Sequence, residues 1–159
     1  KRRSQGFKRT RALTRRIKEL SIIGEDVKKA YCLLNHSLTD NQIKELVEEY
    51  NISEIKYPDA ELSAKWMQIP ASKNLDMNVI KAVLVWIQDA EKEDVLIVQG
   101  EFGSTFYIVD YALKNGLIPV YAVTKRVAEE KRNGEEVVRQ YIFRHCCFRK
   151  YKYFSEYDY

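Results

Sequence analysis

The sequence predicts an α/β fold: a mainly parallel sheet flanked by helices, with a hairpin at its C-terminal edge. The stretch Asp94 to Arg126 carries most of that prediction, because it lays out a strand, a glycine-bearing turn, a helix and a second strand without interruption. Val95 to Val98 are short, β-branched and apolar on both faces, which suits a strand buried inside a parallel sheet. Gln99 to Thr105 form the turn, Ser104 or Thr105 is expected to cap a helix running to Asn115, and Gly116 is its stop. Ile118 to Val123 return as the next strand. Thr124, Lys125 and Arg126 are therefore expected to emerge at the same carboxyl edge as the glycine turn, in the crevice where open α/β sheets bind ligands.

The second support is the alternation of strands and helices before that unit. Ala30 to Leu34 read as a first strand, followed by the turn Asn35, His36, Ser37. Thr39, with Gln42 three residues on, forms a capping box for a helix through Glu49. Ile52 to Tyr57 are a short second strand ended by Pro58, and Asp59 caps a brief helix through Trp66, which Ile69 and Pro70 close off. Met77 to Ala90 give a long helix whose Ile80, Val83, Leu84 and Ile87 recur at the spacing of a buried face. Trp66 and Trp86 are assigned to core or interface. After Arg126 a charged loop is expected over Val127 to Glu136, with Asn133 and Gly134 as turn residues. Val137 to Tyr151 then read as one or two terminal strands with Arg139, Tyr141, Phe143 and His145 on one face. The whole describes a small Rossmann-like domain over residues 28–152, preceded by a basic extension (1–27) and followed by a tail (153–159) expected to fray.

At 159 residues with 45% hydrophobic content, the chain can bury one core. No apolar run approaches the roughly 20 residues of a membrane span, and no apolar segment follows the basic start as a signal peptide would require. Cys32, Cys146 and Cys147 have neither metal-ligand spacing nor an even disulfide count. The expectation is a reduced, cytoplasmic protein. Residues 1 to 18 carry nine Lys or Arg and no acid, leaving 18 basic against 23 acidic residues in the remainder. Such an arm suits non-specific phosphate contacts or no dedicated role at all.

Three segments should converge at the carboxyl edge: Asn35 to Thr39, Gln99 to Thr105, and Thr124 to Arg126. Two of them lead into helices, whose free amides and positive ends favour an anion, and Lys125 and Arg126 add fixed charge. The expected ligand is anionic and nucleotide-like. Neither GxGxxG nor GxxxxGK[ST] is present, so hydride and nucleoside triphosphate chemistry lack support. His36 is read either as a general acid or base or as a backbone-bonded turn residue, and Glu101 either as a ligand contact or as an ion-pair partner for Lys125 or Arg126. Ser37, Ser104 and Thr105 are equally readable as caps or turn formers. Two histidines without clustered ligands argue against a metal site.

The phrases LLNHSLTDNQ (Leu33 to Gln42), LIVQGEFGSTF (Leu96 to Phe106), NGLIPVYAVTKR (Asn115 to Arg126) and FRHCCFRKY (Phe143 to Tyr151) together resemble the small stand-alone CRISPR-associated proteins of the Csx group, related to the CARF domain. The resemblance covers roughly residues 28 to 152. It implies a CARF-like ring nuclease that binds a cyclic oligoadenylate messenger of type III CRISPR systems, cyclic tetra-adenylate above all, and cuts it to end the antiviral response. It further implies a homodimer with no metal, cofactor, membrane or stable DNA partner, the ribose 2′-hydroxyl attacking its own phosphodiester. On this reading Lys125 and Arg126 hold the scissile phosphate, and His36 and Ser37 orient or deprotonate the hydroxyl. Gly103 and Ser104 offer amides to a neighbouring phosphate, while Gln99 and Glu101 read ribose or adenine and Phe102 stacks on a base. Asn35, Gly100, Thr105 and Thr124 complete the lining. Two other classes stay open: a non-catalytic sponge or sensor for the same messenger, and an RNA-binding module built on the basic arm with Arg139, Arg144 and Arg149.

Overall fold

The computed structural model describes residues 27–134 and 136–156, so the basic extension, apart from Val27, lies outside the described residues. Five strands, β1 (Lys28–Leu33), β2 (Ile52–Lys56), β3 (Val95–Val98), β4 (Ile118–Asn133) and β5 (Glu136–Lys150), form one sheet in the order β2-β1-β3-β4-β5. The first four run parallel and β5 pairs antiparallel to β4. Four α-helices flank them: α1 (Asp40–Glu49), α2 (Ala60–Met67), α3 (Met77–Trp86) and α4 (Phe102–Lys114).

Chain direction decides which face each helix covers. From β1 the chain steps outward to β2, whereas the later crossovers step the opposite way, and right-handed connections then place α1 on one face and α2, α3 and α4 on the other. The core divides accordingly. Ala30, Cys32, Ile97 and Val120 pack with Leu46 of α1 and Phe148 of β5. Tyr31, Leu33, Leu96 and Val98 pack with Trp66, Ile80, Val83 and Ile108 on the other side. The apolar runs of β1 and β3 are thus used on both faces, as central parallel strands require. Burial pushes the Cys32 thiol up to about 12, so it stays a protonated core residue.

Several expectations match and several are corrected. The Thr39 and Gln42 capping box forms reciprocally, and Asp59 caps α2 through the Leu62 amide. Gly116 ends α4 at φ +75°, a conformation open to glycine at no cost. The helix predicted to reach Ala90 stops at Trp86, although Ile87 still packs in the core. Ser104 and Thr105 do not cap α4. Glu101 does, its carboxylate accepting from the amides of Gly103 (2.9 Å) and Ser104 (2.7 Å), so both hydroxyl residues lie buried one turn inside.

The largest correction concerns the charged loop expected over Val127 to Glu136: Val127 to Asn133 are strand, while Gly134, at φ +65°, turns the chain as expected. β4 continues through it to Asn133 and pairs with β5 from Val120↔Lys150 to Asn133↔Glu136. On a two-stranded ribbon neither face has to be buried, so the sequence carries no hydrophobic alternation for a strand prediction to detect. The result is an arm that rises past the body of the sheet by about ten residues, or roughly 34 Å at the usual rise per residue.

Candidate functional site

The loops after β1 and β3 leave the sheet in opposite directions, and the gap between them is the switch point at which open α/β sheets bind ligands. A cleft of about 360 Å³ opens there, lined by Asn35, Trp66, Met67, Ile69, Gln99, Gly100 and Glu101. Each wall has a local cause. Asn35, His36 and Ser37 are exposed because Leu34 and Leu38 on either side are buried and hold the loop down. Ser37 carbonyl lies 2.9 Å from His36 Nδ1, so the ring is oriented by its own loop.

Gln99 is the keystone of the opposite wall. Its amide donates to Leu33 O (3.2 Å), its carbonyl accepts from Trp66 Nε1 (3.0 Å), and its side-chain Oε1 accepts from the Ala122 amide (2.9 Å). One residue thereby ties β1, α2 and β4 together at the carboxyl edge. Gly100 follows because nothing larger fits: a Cβ there would stand 2.7 Å from the Trp66 indole. Trp66 is a lining residue that sequence reasoning assigned to core or interface and not to a ligand site. It is 2% exposed, yet its ring forms the cleft floor beside Gly100. A tryptophan ending a short helix just before Ile69 and Pro70 was the available signal.

The structure brings some predicted site residues together and separates others. Asn35, Gln99, Gly100 and Glu101 share the cleft. Gly103 and Ser104 do not offer free amides, since the Glu101 carboxylate already takes both. Those bonds, Ser104 first and Gly103 next, hold the Glu101 carboxyl below its ordinary value, and with Oε1 and Oε2 each taken by an α4 amide the side chain serves the helix end in place of the expected pairing with Lys125 or Arg126. Phe102, 90% exposed, stands at the first turn of α4 beside that cap.

Thr124, Lys125 and Arg126 are strand residues and not an edge loop. Successive strand residues point to opposite faces, so the expected cation pair is split. Val120 packs on the α1 side, which puts Thr124 and Arg126 on that side and Lys125 on the cleft side. Arg126 stacks on Tyr141, its guanidinium 3.6 Å from the ring centroid. A one-residue bulge between Thr124 and Val123 makes Cys146 the extra residue of β5, and it returns both His145 and Phe148 to the α1 side. His145 Nε2 lies 2.6 Å from Glu45 Oε2, and Glu45 Oε1 accepts from the Phe148 amide at 2.6 Å. His145 is therefore a structural clamp between α1 and β5.

Among the described residues no group of three or more His, Cys, Asp or Glu could hold a metal ion, and no helix is long and apolar enough to cross a membrane. No solved structure matches this chain. Uncharacterized protein MJ1673 of Methanocaldococcus jannaschii is 33% identical over 124 residues, which cover 77% of this chain and 96% of that protein. The model of the family described as Uncharacterized protein MJ1673 family matches residues 28–149, from the first residue of β1 to the last but one of β5, and takes in every candidate site residue and the arm. On that match the chain belongs to the MJ1673 family.

Proposed function

We propose that this protein is a CARF-like ring nuclease that binds a cyclic oligoadenylate of type III CRISPR systems, cyclic tetra-adenylate above all, in the cytoplasm and cleaves it without a metal. The observation that carries the reading is the cleft at the β1/β3 switch point, where the loop of the LLNHSLTDNQ phrase meets the loop of the LIVQGEFGSTF phrase. In this reading the adenine or ribose of one nucleotide enters between Asn35 and the Gln99 to Glu101 turn, over Trp66. Lys125, on the same side of the sheet, meets a phosphate. His36 and Ser37, exposed at the rim, orient the 2′-hydroxyl for in-line attack.

Size supports two copies. Pockets of 300 to 1,000 Å³ hold drug-sized molecules, so about 360 Å³ suits one nucleotide and not a ring of four. A homodimer presenting two clefts across a twofold axis matches a twofold-symmetric ring.

The test is incubation with cyclic tetra-adenylate and cyclic hexa-adenylate in EDTA, with products resolved by chromatography and mass spectrometry beside a binding titration. Linear products ending in a 2′,3′-cyclic phosphate support the reading and give the ring size. Tight binding without cleavage makes the protein a sponge or sensor, and absence of both refutes the proposal.

A further inference from the structure

We infer that the α1-side face of the β4–β5 arm is the interface with a second copy of this chain, joined about a twofold axis that crosses the ribbon at the Ala128–Tyr141 pair. The homodimer belongs to the function proposed above, but the surface is argued from the arm alone.

Past the bulge the arm is a two-stranded ribbon, a structure of marginal stability in water when nothing covers it. Its α1-side face consists of Arg126, Ala128 and Glu130 on β4, opposite Phe143, Tyr141 and Arg139 on β5. All six are exposed, with Phe143 at 66% and Tyr141 at 48%. Two large aromatic rings held in solvent on one face mark a contact surface.

The order of residues identifies the occupant. Along β4 the face reads cation, small residue, anion; along β5 it reads aromatic, aromatic, cation. Two such faces laid together about a twofold axis in the interface, perpendicular to the strands, run antiparallel with β4 over β4 and β5 over β5. Positions equidistant from the centre then meet. Arg126 faces Glu130 of the partner subunit, Glu130 faces the partner's Arg126, and Phe143 and Arg139 meet reciprocally as rings under guanidinium groups. At the centre small Ala128 meets its own copy and leaves depth for the paired Tyr141 rings. Every position has a complementary partner, which is the condition for an isologous contact. Within one copy Glu130 and Arg139 are already within 3.7 Å and Arg126 lies on Tyr141, so the charged groups are held on the face that the contact needs. Lys125, on the other face, stays free to serve the cleft.

Sedimentation equilibrium of the full chain, without ligand, tests the assignment. The wild type is expected at about twice 18.8 kDa, whereas Arg126→Glu and Glu130→Arg, each of which sets like charges face to face twice, are expected to dissociate at least tenfold more readily. The combined Arg126→Glu, Glu130→Arg chain restores opposite charges and should recover the dimer. Phe143→Lys should dissociate it by removing the ring, and far-UV circular dichroism checks that each variant keeps its fold. A monomeric wild type, single reversals that leave the dimer intact, or a double reversal that fails to recover it would each overturn the inference. Because no ring is present, a failure here is separate from a failure of the proposed activity.

Discussion

Glu101 shows how one side chain sets what a helix end can do. The first amides of α4 are the ready-made anion site that a strand, glycine turn and helix normally provide, and here an anion from the chain itself occupies them. Its folded-state carboxyl lies below the ordinary value of 4.5. The stabilisation it gives is therefore fully present above that value and is lost as pH falls through the lower, folded one. Glu101→Ala is expected to lower the melting temperature at pH 7, and the gap to wild type should shrink steadily below about pH 4.5. Thermal melts by circular dichroism across that range check it; a gap that does not change with pH would mean that Glu101 acts through packing and not as a charged cap. The sequence showed the turn and the helix but not this cap, because Ser104 and Thr105 are the commoner capping residues and a glutamate two residues before a glycine carries no propensity signal of its own.

At the scale of the element, the chain was legible wherever periodicity or capping chemistry spoke. β1, β3 and α1 follow from apolar runs and a capping box. The arm did not follow, because its residues gain their strand conformation from cross-strand pairing and not from a buried face. The misreading reached the site, since Lys125 and Arg126 read as neighbours in a loop act as a pair, whereas in a strand they serve opposite faces. Where the arm joins the body, the clamp of His145 on Glu45 fixes it to α1, with side chains only 6% and 9% exposed. Removing the imidazole leaves Glu45 Oε2 buried without its partner while Oε1 keeps the Phe148 amide, and a buried polar group left unsatisfied costs about 1 to 3 kcal/mol. His145→Ala is accordingly expected to lower unfolding stability by about 1 to 3 kcal/mol, measured by urea denaturation. A loss below about 0.5 kcal/mol, the range of ordinary surface substitutions, would show that the clamp does not hold the arm.

For the whole molecule, the cleft and the arm face make one joint demand on stoichiometry. If the ligand is the proposed ring, a cleft of about 360 Å³ has room for one of its nucleotides, and the remaining nucleotides must be met elsewhere. The inferred arm interface would supply a twofold axis, and a ring of four adenylates has a twofold axis of its own, so aligning the two would put opposite nucleotides in equivalent clefts. Isothermal titration with cyclic tetra-adenylate should then saturate at one ring for every two chains. Arg126 lies on the other side of the sheet from the cleft, yet Arg126→Glu should weaken ring binding by uncoupling the two clefts. The restored double reversal should regain it. Saturation at one ring per chain, with Arg126→Glu binding as tightly as wild type, would mean that a single cleft holds the ligand and that the arm serves some other contact.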